Sequence, residues 1–206
     1  MLRRRSTAAL ALSLTLLVVG AAACGDDDDA SGGSGEASGA ETTTSGGEPI
    51  GPADEGIEGV EAFEIASNGH TEANLVYDPR PPAGGEHNPT PATCGFYDSD
   101  PPADQYIVHS LEHGAVWVAY DPHIDDAAKN ALRELVGSQP KTIASPYDGL
   151  ESPIVVTAWA RQLQLDTVDD PRLQLFIDQY RAGGQSPEPT AACLGVGTPA
   201  VPAPTG

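Results

Sequence analysis

Proline and glycine crowd residues 77–105, where Pro79, Pro81, Pro82, Gly84, Gly85, Pro89, Pro91, Gly95, Pro101 and Pro102 all fall. A proline removes a backbone donor and fixes φ, and a glycine weakens the helix or strand that contains it. No regular element is expected over this stretch. Loops this long inside a compact domain are usually functional or disordered. His87, Cys94, Phe96 and Tyr97 lie within it, so the expectation is an ordered loop packed on a core.

The C-terminal side has clear periodicity. Val116–Tyr120 is a continuous apolar run of strand formers ended by Asp121-Pro122, the mark of a buried strand. A helix is predicted next, with Asp125 as N-cap, Ala128, Ala131, Leu132, Leu135 and Val136 at helical spacing, and Gly137 as its stop. Thr142–Ser145 reads as a short strand, Pro146–Pro153 as a turn and Ile154–Ala160 as a second full strand. A last helix runs from Asp170, its cap, and Pro171, its first residue, to Gly183, burying Leu173, Phe176, Ile177 and Tyr180. The order β-α-β-β-α behind a long loop predicts a single small α+β domain, with two helices on one face of a mixed sheet.

The N-terminal region reads as an address. Arg3, Arg4 and Arg5 precede an apolar run from Ala8 to Gly20, shorter than the ~20 residues of a membrane span and typical of a signal peptide. Ala21-Ala22-Ala23-Cys24 then reads as a lipoprotein cleavage box, with ordinary secretion near Ala23 as the alternative. Residues 1–23 are thus expected to be a lipoprotein signal, and a diacylated Cys24 would be a durable membrane anchor on the extracytoplasmic face. Residues 24–59 are rich in Gly, Ser, Thr, Asp and Glu, so a disordered tether is expected. About 35 such residues reach ~30–35 Å. Residues 60–190 form the expected domain, followed by a Pro-rich tail over 191–206.

Charge narrows the partners. The chain carries 10 basic and 30 acidic residues. Cleaving away Arg3, Arg4 and Arg5 leaves 7 against 30, a net charge of −23. Such a chain is repelled by nucleic acid and by anionic lipid surfaces. Beyond Cys24 the cysteines are Cys94 and Cys193. An exported chain can pair them, closing a loop of about 100 residues worth ~4–5 kcal/mol in the loop-entropy model. Cys94 as a thiolate ligand near His87 is the other reading.

The chemistry concentrates in Val108-His109-Ser110-Leu111-Glu112-His113-Gly114. Four of the five histidines (His70, His87, His109 and His113) fall within residues 70–113. On a helix, residues four apart share a face and touch. On a strand they stand about 13 Å apart, too far for two imidazoles on one ion at ~2.1 Å each. A shared site therefore requires His109 and His113 to lie on a helical turn or tight bend, with Gly114 making the transition to the following strand. His87, His109 and His113, with His70 as a further donor, form the expected ligand set, and imidazole suits copper(II) or zinc. Glu112 is expected to orient a ligating ring through its free N–H, and Tyr97 and Tyr77 to line the site.

His109-Ser110-Leu111-Glu112-His113 also fits H-x-x-E-H, in which the histidines hold zinc and the glutamate activates water. That reading needs a long helix and a third ligand, for which Glu134, Glu151 or Glu188 are available. A third possibility is a protein-interaction or envelope-assembly module with structural histidines and an envelope protein as partner. His123, beside Asp121-Pro122, reads as a loop residue outside any site.

Several of these landmarks recur in a known order. They are His70, Tyr77, Pro81-Pro82-Ala83-Gly84-Gly85-Glu86-His87, Gly95-Phe96-Tyr97, His109 to Gly114, Ser145-Pro146-Tyr147, Thr157-Ala158-Trp159 and Pro187-Glu188. Together they resemble the DUF3105 domain, a bacterial family of unknown function, over about residues 65–190. Two departures stand out: Gly84 replaces the loop serine of that pattern, and Cys94 stands before Gly95 where the pattern has an aromatic. The second departure favours the Cys94–Cys193 disulfide. The resemblance implies a fold and marks residues, and it brings no reaction with it.

Overall fold

The computed structural model describes residues 41–53 and 56–206. The signal sequence, Cys24 and the tether up to residue 40 lie outside the described residues. The described elements are β1 (Thr42–Ser45), β2 (Glu48–Pro52), β3 (Glu61–Glu64), β4 (Leu75–Asp78) and β5 (Gly95–Phe96), then α1 (Asp104–Glu112) and β6 (Val116–Tyr120). They continue with α2 (Asp126–Ser138), β7 (Thr142–Pro146), β8 (Ile154–Ala158), β9 (Arg161–Leu165), α3 (Pro171–Tyr180) and β10 (Val201–Pro202).

One sheet carries most of the strands, in the order β10-β5-β7-β6-β8-β9-β3-β2, and β1 pairs with β4 apart from it. The large sheet is mixed: β5-β7-β6 run parallel, while β6-β8-β9-β3-β2 alternate in direction. All five residues of β6 are buried, because both faces of this central strand are covered. Period-two alternation sends Val116, Val118 and Tyr120 into one core with Leu132 and Val136 of α2 and with Leu173, Phe176, Ile177 and Tyr180 of α3. Trp117 and Ala119 point the other way, into a second core with Ile107, Val108 and Leu111 of α1 and with Tyr77, Ala92, Cys94 and Tyr97.

The α+β class and the mixed sheet stand as expected, and the two anticipated helices do share a face. Their caps also hold: Asp125 accepts from Ala128 N–H at 2.8 Å and Asp170 from Arg172 N–H at 2.9 Å. A third helix, α1, covers the opposite face. A further strand, β9, follows β8 after a reversal in which Ala160 takes φ 59°. The proline-rich stretch is not free of regular structure, since β5 lies within it. Its backbone pairs with β7 on one side and with β10, from the C-terminal tail, on the other. Composition assigns residues 42–52 to the tether, yet β1 and β2 form there because β4 and β3 offer open edges to pair with.

Cys94 and Cys193 form a disulfide with Cα atoms 5.4 Å apart. The tail is thereby held to the second core, and the thiolate-ligand reading of Cys94 is excluded.

Candidate metal centre

Three residues separate the end of α1 from the start of β6, and the join explains how H-x3-H can lie on a helix there. Gly114 N–H donates to Leu111 O at 2.9 Å and Ala115 N–H to Ser110 O at 2.9 Å. These are the paired bonds of a Schellman motif, whose left-handed position Gly114 fills at φ 81°. His109 and His113 consequently share a helical face, with ring centroids 4.4 Å apart. The loop residues His87 and Asn88 come against this helix, His87 at Glu112 and Asn88 at His109. His87 is joined to the segment around His70 by a short parallel bridge, Thr71 N–H to His87 O at 2.8 Å and His87 N–H to Gly69 O at 3.0 Å.

Backbone carbonyls set the ring orientations. His87 Nδ1 lies 2.8 Å from Gly85 O, His109 Nδ1 2.6 Å from Asn88 O and His113 Nδ1 2.7 Å from Ala192 O. A carbonyl only accepts, so each Nδ1 carries the proton and each neutral ring presents a bare lone pair at Nε2. Those lone pairs face other acceptors. His87 Nε2 stands 2.9 Å from Glu112 Oε2, and His109 Nε2 stands 2.8 Å from His113 Nε2. Acceptors held this close require a cation among them, either added protons or a metal ion.

His70, His87, His109 and Glu112 each offer one ligand atom, and all four atoms lie within 4.8 Å of one another. Tetrahedral ligands at ~2.1 Å from an ion stand ~3.4 Å apart. The set could hold one ion if its widest pair moved inward toward that spacing. His87 is fully buried and Glu112 is 3% exposed, while the His70 side chain is 47% exposed and opens the group to solvent. The rings of His70 and His109 stack with centroids 4.9 Å apart, and Trp159 meets the His87 ring edge-on.

Electrostatics fit the same picture. Burial pulls the His109 pKa below the ordinary histidine value; the bond to Asn88 O opposes this, and His113, His87 and His70 reinforce it. Burial alone would raise the Glu112 carboxyl, but the hydrogen bond from Asn68, together with His87 and His70 when their rings take up a second proton, outweighs it and leaves the pKa below its usual value. The site thus favours a bare imidazole at His109 and an ionised carboxylate at Glu112, the two forms that bind metal.

Several expected roles change. Glu112 faces His87 Nε2, the nitrogen an ion would take, and leaves Nδ1 to Gly85 O. It stands as a ligand candidate and does not orient a ring through its free N–H. His113 touches His109 but lies outside the group of four, whereas His70 lies inside it. Tyr77 and Tyr97 buttress the loop: Tyr77 Oη donates to Glu86 O and Tyr97 Oη to Thr93 O, both at 2.7 Å. Burial pushes the Tyr97 phenol up to about 12 and raises Tyr77 as well, so both remain donors. His123 is exposed and pairs with Asp121.

Asn68 holds Glu112 Oε1 at 2.8 Å. It lies 44 residues away in sequence, and no local pattern announces it. The H-x-x-E-H hydrolase geometry is not met, because Glu112 has one oxygen on Asn68 and the other against His87 and His70. Glu134 and Glu151 are exposed, and α2, which bears Glu134, packs on the far face of the sheet. Glu188 comes within 3.6 Å of His113 Nε2.

A family model described as "Protein of unknown function (DUF3105)" matches residues 70–195. That span begins at His70 and takes in His87, α1, Glu188 and both disulfide cysteines. No curated protein and no solved structure matches the chain.

Proposed function

The chain belongs to the DUF3105 family, and we propose that it is a metal-binding module, lipid-anchored through Cys24 on the extracytoplasmic face of the membrane. One copper(II) or zinc ion binds His70, His87 and His109 through Nε2 and Glu112 through a carboxylate oxygen. The carrying observation is the convergence of these four donor atoms within 4.8 Å, with the other nitrogens of His87 and His109 tied to backbone carbonyls. Ligating histidines are held in this way by acceptors on their far nitrogen. Three imidazoles and one carboxylate suit borderline cations better than calcium or magnesium, which take oxygen ligands.

The address is supported by the cleavage box at Ala21–Cys24 and by a disulfide that persists only in an oxidising compartment. A net charge of −20 on the whole chain argues against nucleic acid as a partner. The test is metal content. The purified full chain, loaded with copper(II) or zinc and desalted, is expected to retain one equivalent, and His109→Ala to retain none. Wild type that retains nothing refutes the reading.

A further inference from the structure

His113 is absent from the group of four, yet it is held as firmly as the members of that group. Its Nδ1 is fixed by Ala192 O, its Nε2 faces His109 Nε2 at 2.8 Å, and Glu188 Oε2 lies 3.6 Å away from the same nitrogen. The donor atoms of Glu188, His113 and His109 thus form a row that ends on buried His87 and Glu112, while His70, 47% exposed, opens the same group to solvent beside it. Exposure falls along it, from 57% for the Glu188 side chain to 11% for His113, while His109 is buried.

We propose that Glu188 and His113 form an outer, two-donor station that exchanges the ion with the inner site at His109, beside the opening at His70. This rests on the metal-binding reading above. An ion ~2.1 Å from each of two donors spans roughly 3.4 Å between them. Both gaps in the row, 3.6 Å and 2.8 Å, fall near that span. The ion can therefore exchange one ligand at a time: Glu188 with His113, then His113 with His109, then His109 with the inner donors. It keeps one protein ligand through each exchange. Two donors hold an ion more weakly than four, which suits a station the ion leaves.

The segment bearing Glu188 is locked in place. Glu188 N–H donates to Glu112 O at 3.0 Å. Lys141 Nζ gathers His113 O, Pro189 O and Ala191 O at 2.8, 2.5 and 2.9 Å. Burial lowers the Lys141 pKa, and its ammonium joins the end of α1 to residues 189–191. The Cys94–Cys193 disulfide closes the far side. None of these contacts involves the Glu188 carboxylate, which is left to face His113.

The test is the rate of exchange on the full chain. Zinc, and separately copper(II), is delivered from a weak chromophoric chelator in stopped flow, then withdrawn with a strong one. Wild type, Glu188→Gln and His113→Ala are compared, with melting curves and disulfide content as fold controls. All three are expected to retain one equivalent, with loading and release at least tenfold slower in both variants. Wild-type rates in Glu188→Gln, whose side chain is exposed, overturn the relay. So does loss of the ion in a folded His113→Ala, which would make His113 a resident ligand. Failure of the metal-binding reading itself shows separately, as wild type that retains no ion.

Discussion

His109 Nε2 and His113 Nε2 stand 2.8 Å apart while the second nitrogen of each ring is already bound to a backbone carbonyl. Two neutral rings held this way place lone pair against lone pair. The same conflict recurs between His87 Nε2 and Glu112 Oε2 at 2.9 Å. An added proton or a metal ion between the paired atoms resolves each contact.

Glu112→Gln separates the roles of charge and shape. The amide keeps the volume of the side chain and can donate to the His87 lone pair. The metal-free variant is expected to be as stable as wild type or more so, by about 0.5–1.5 kcal/mol, the net worth of one hydrogen bond. Its affinity for copper(II) or zinc should fall at least tenfold. Urea unfolding and competitive titration read the two effects. Unchanged affinity would remove Glu112 from the ligand set.

Cys94→Ala tests whether the tail belongs to the inner site. The bridge closes a loop with a sequence separation of 99, and losing such a loop costs about 4–5 kcal/mol in the loop-entropy model. The unfolding midpoint should fall sharply. Retained metal should stay at one equivalent under folding conditions, because His70, His87, His109 and Glu112 all precede the tail. Loss of the ion with the fold intact would place a ligand beyond residue 190.

Gly85→Ala should damage fold and site together. Gly85 adopts φ 115°, and a Cβ there would run into Ser45 O. Left-handed strain costs of order 1–3 kcal/mol, and the clash adds to it. Because Gly85 O fixes His87 Nδ1, the shift also disturbs a ligand ring. Thermal melts and metal retention should both decline; a lower melting temperature with full metal affinity would show that His87 does not depend on this carbonyl.

Asp104 gives a pH test away from the histidines. Burial raises its pKa above 3.8, against the hydrogen bond from Tyr147 and the charge of Arg80. The folded state therefore binds this proton more tightly than the unfolded state. The resulting stabilisation is complete below the unfolded value and is lost as pH rises through the folded one. The cost of Asp104→Asn should shrink between about pH 4 and pH 7. Urea unfolding across that range checks the sign, and a cost that grows with pH would mean the Arg80 pair outweighs burial.

Some elements could be read from local pattern because their physics is local. Asp125 and Asp170 cap their helices through neighbours two or three residues on, and β6 announces itself by an unbroken apolar run. α1 was harder. Pro101-Pro102 precede it, its Ile107-Val108 pair favours strands, and its buried face includes His109, Ser110 and Glu112, which blurs the apolar stripe. The alternation in Arg161-Gln162-Leu163-Gln164-Leu165 was a usable signal for β9, but Ala160 turns the chain without the glycine that marks such reversals. β1 and β2 owe their form to partner edges far along the chain. In the site, H-x3-H identified His109 and His113. The inclusion of His70 over His113, and the hold of Asn68 on Glu112, depend on loop packing that sequence spacing does not encode.

X-ray absorption of the zinc-loaded chain tests the central claim most directly. One zinc per chain should show four light-atom ligands near 2.0–2.1 Å, with outer-shell scattering from three imidazoles. That spectrum should persist in His113→Ala and lose one imidazole in a His70→Ala sample held at saturating zinc. A shell of oxygens alone, or a spectrum indifferent to His70, His87 and His109, would contradict the account.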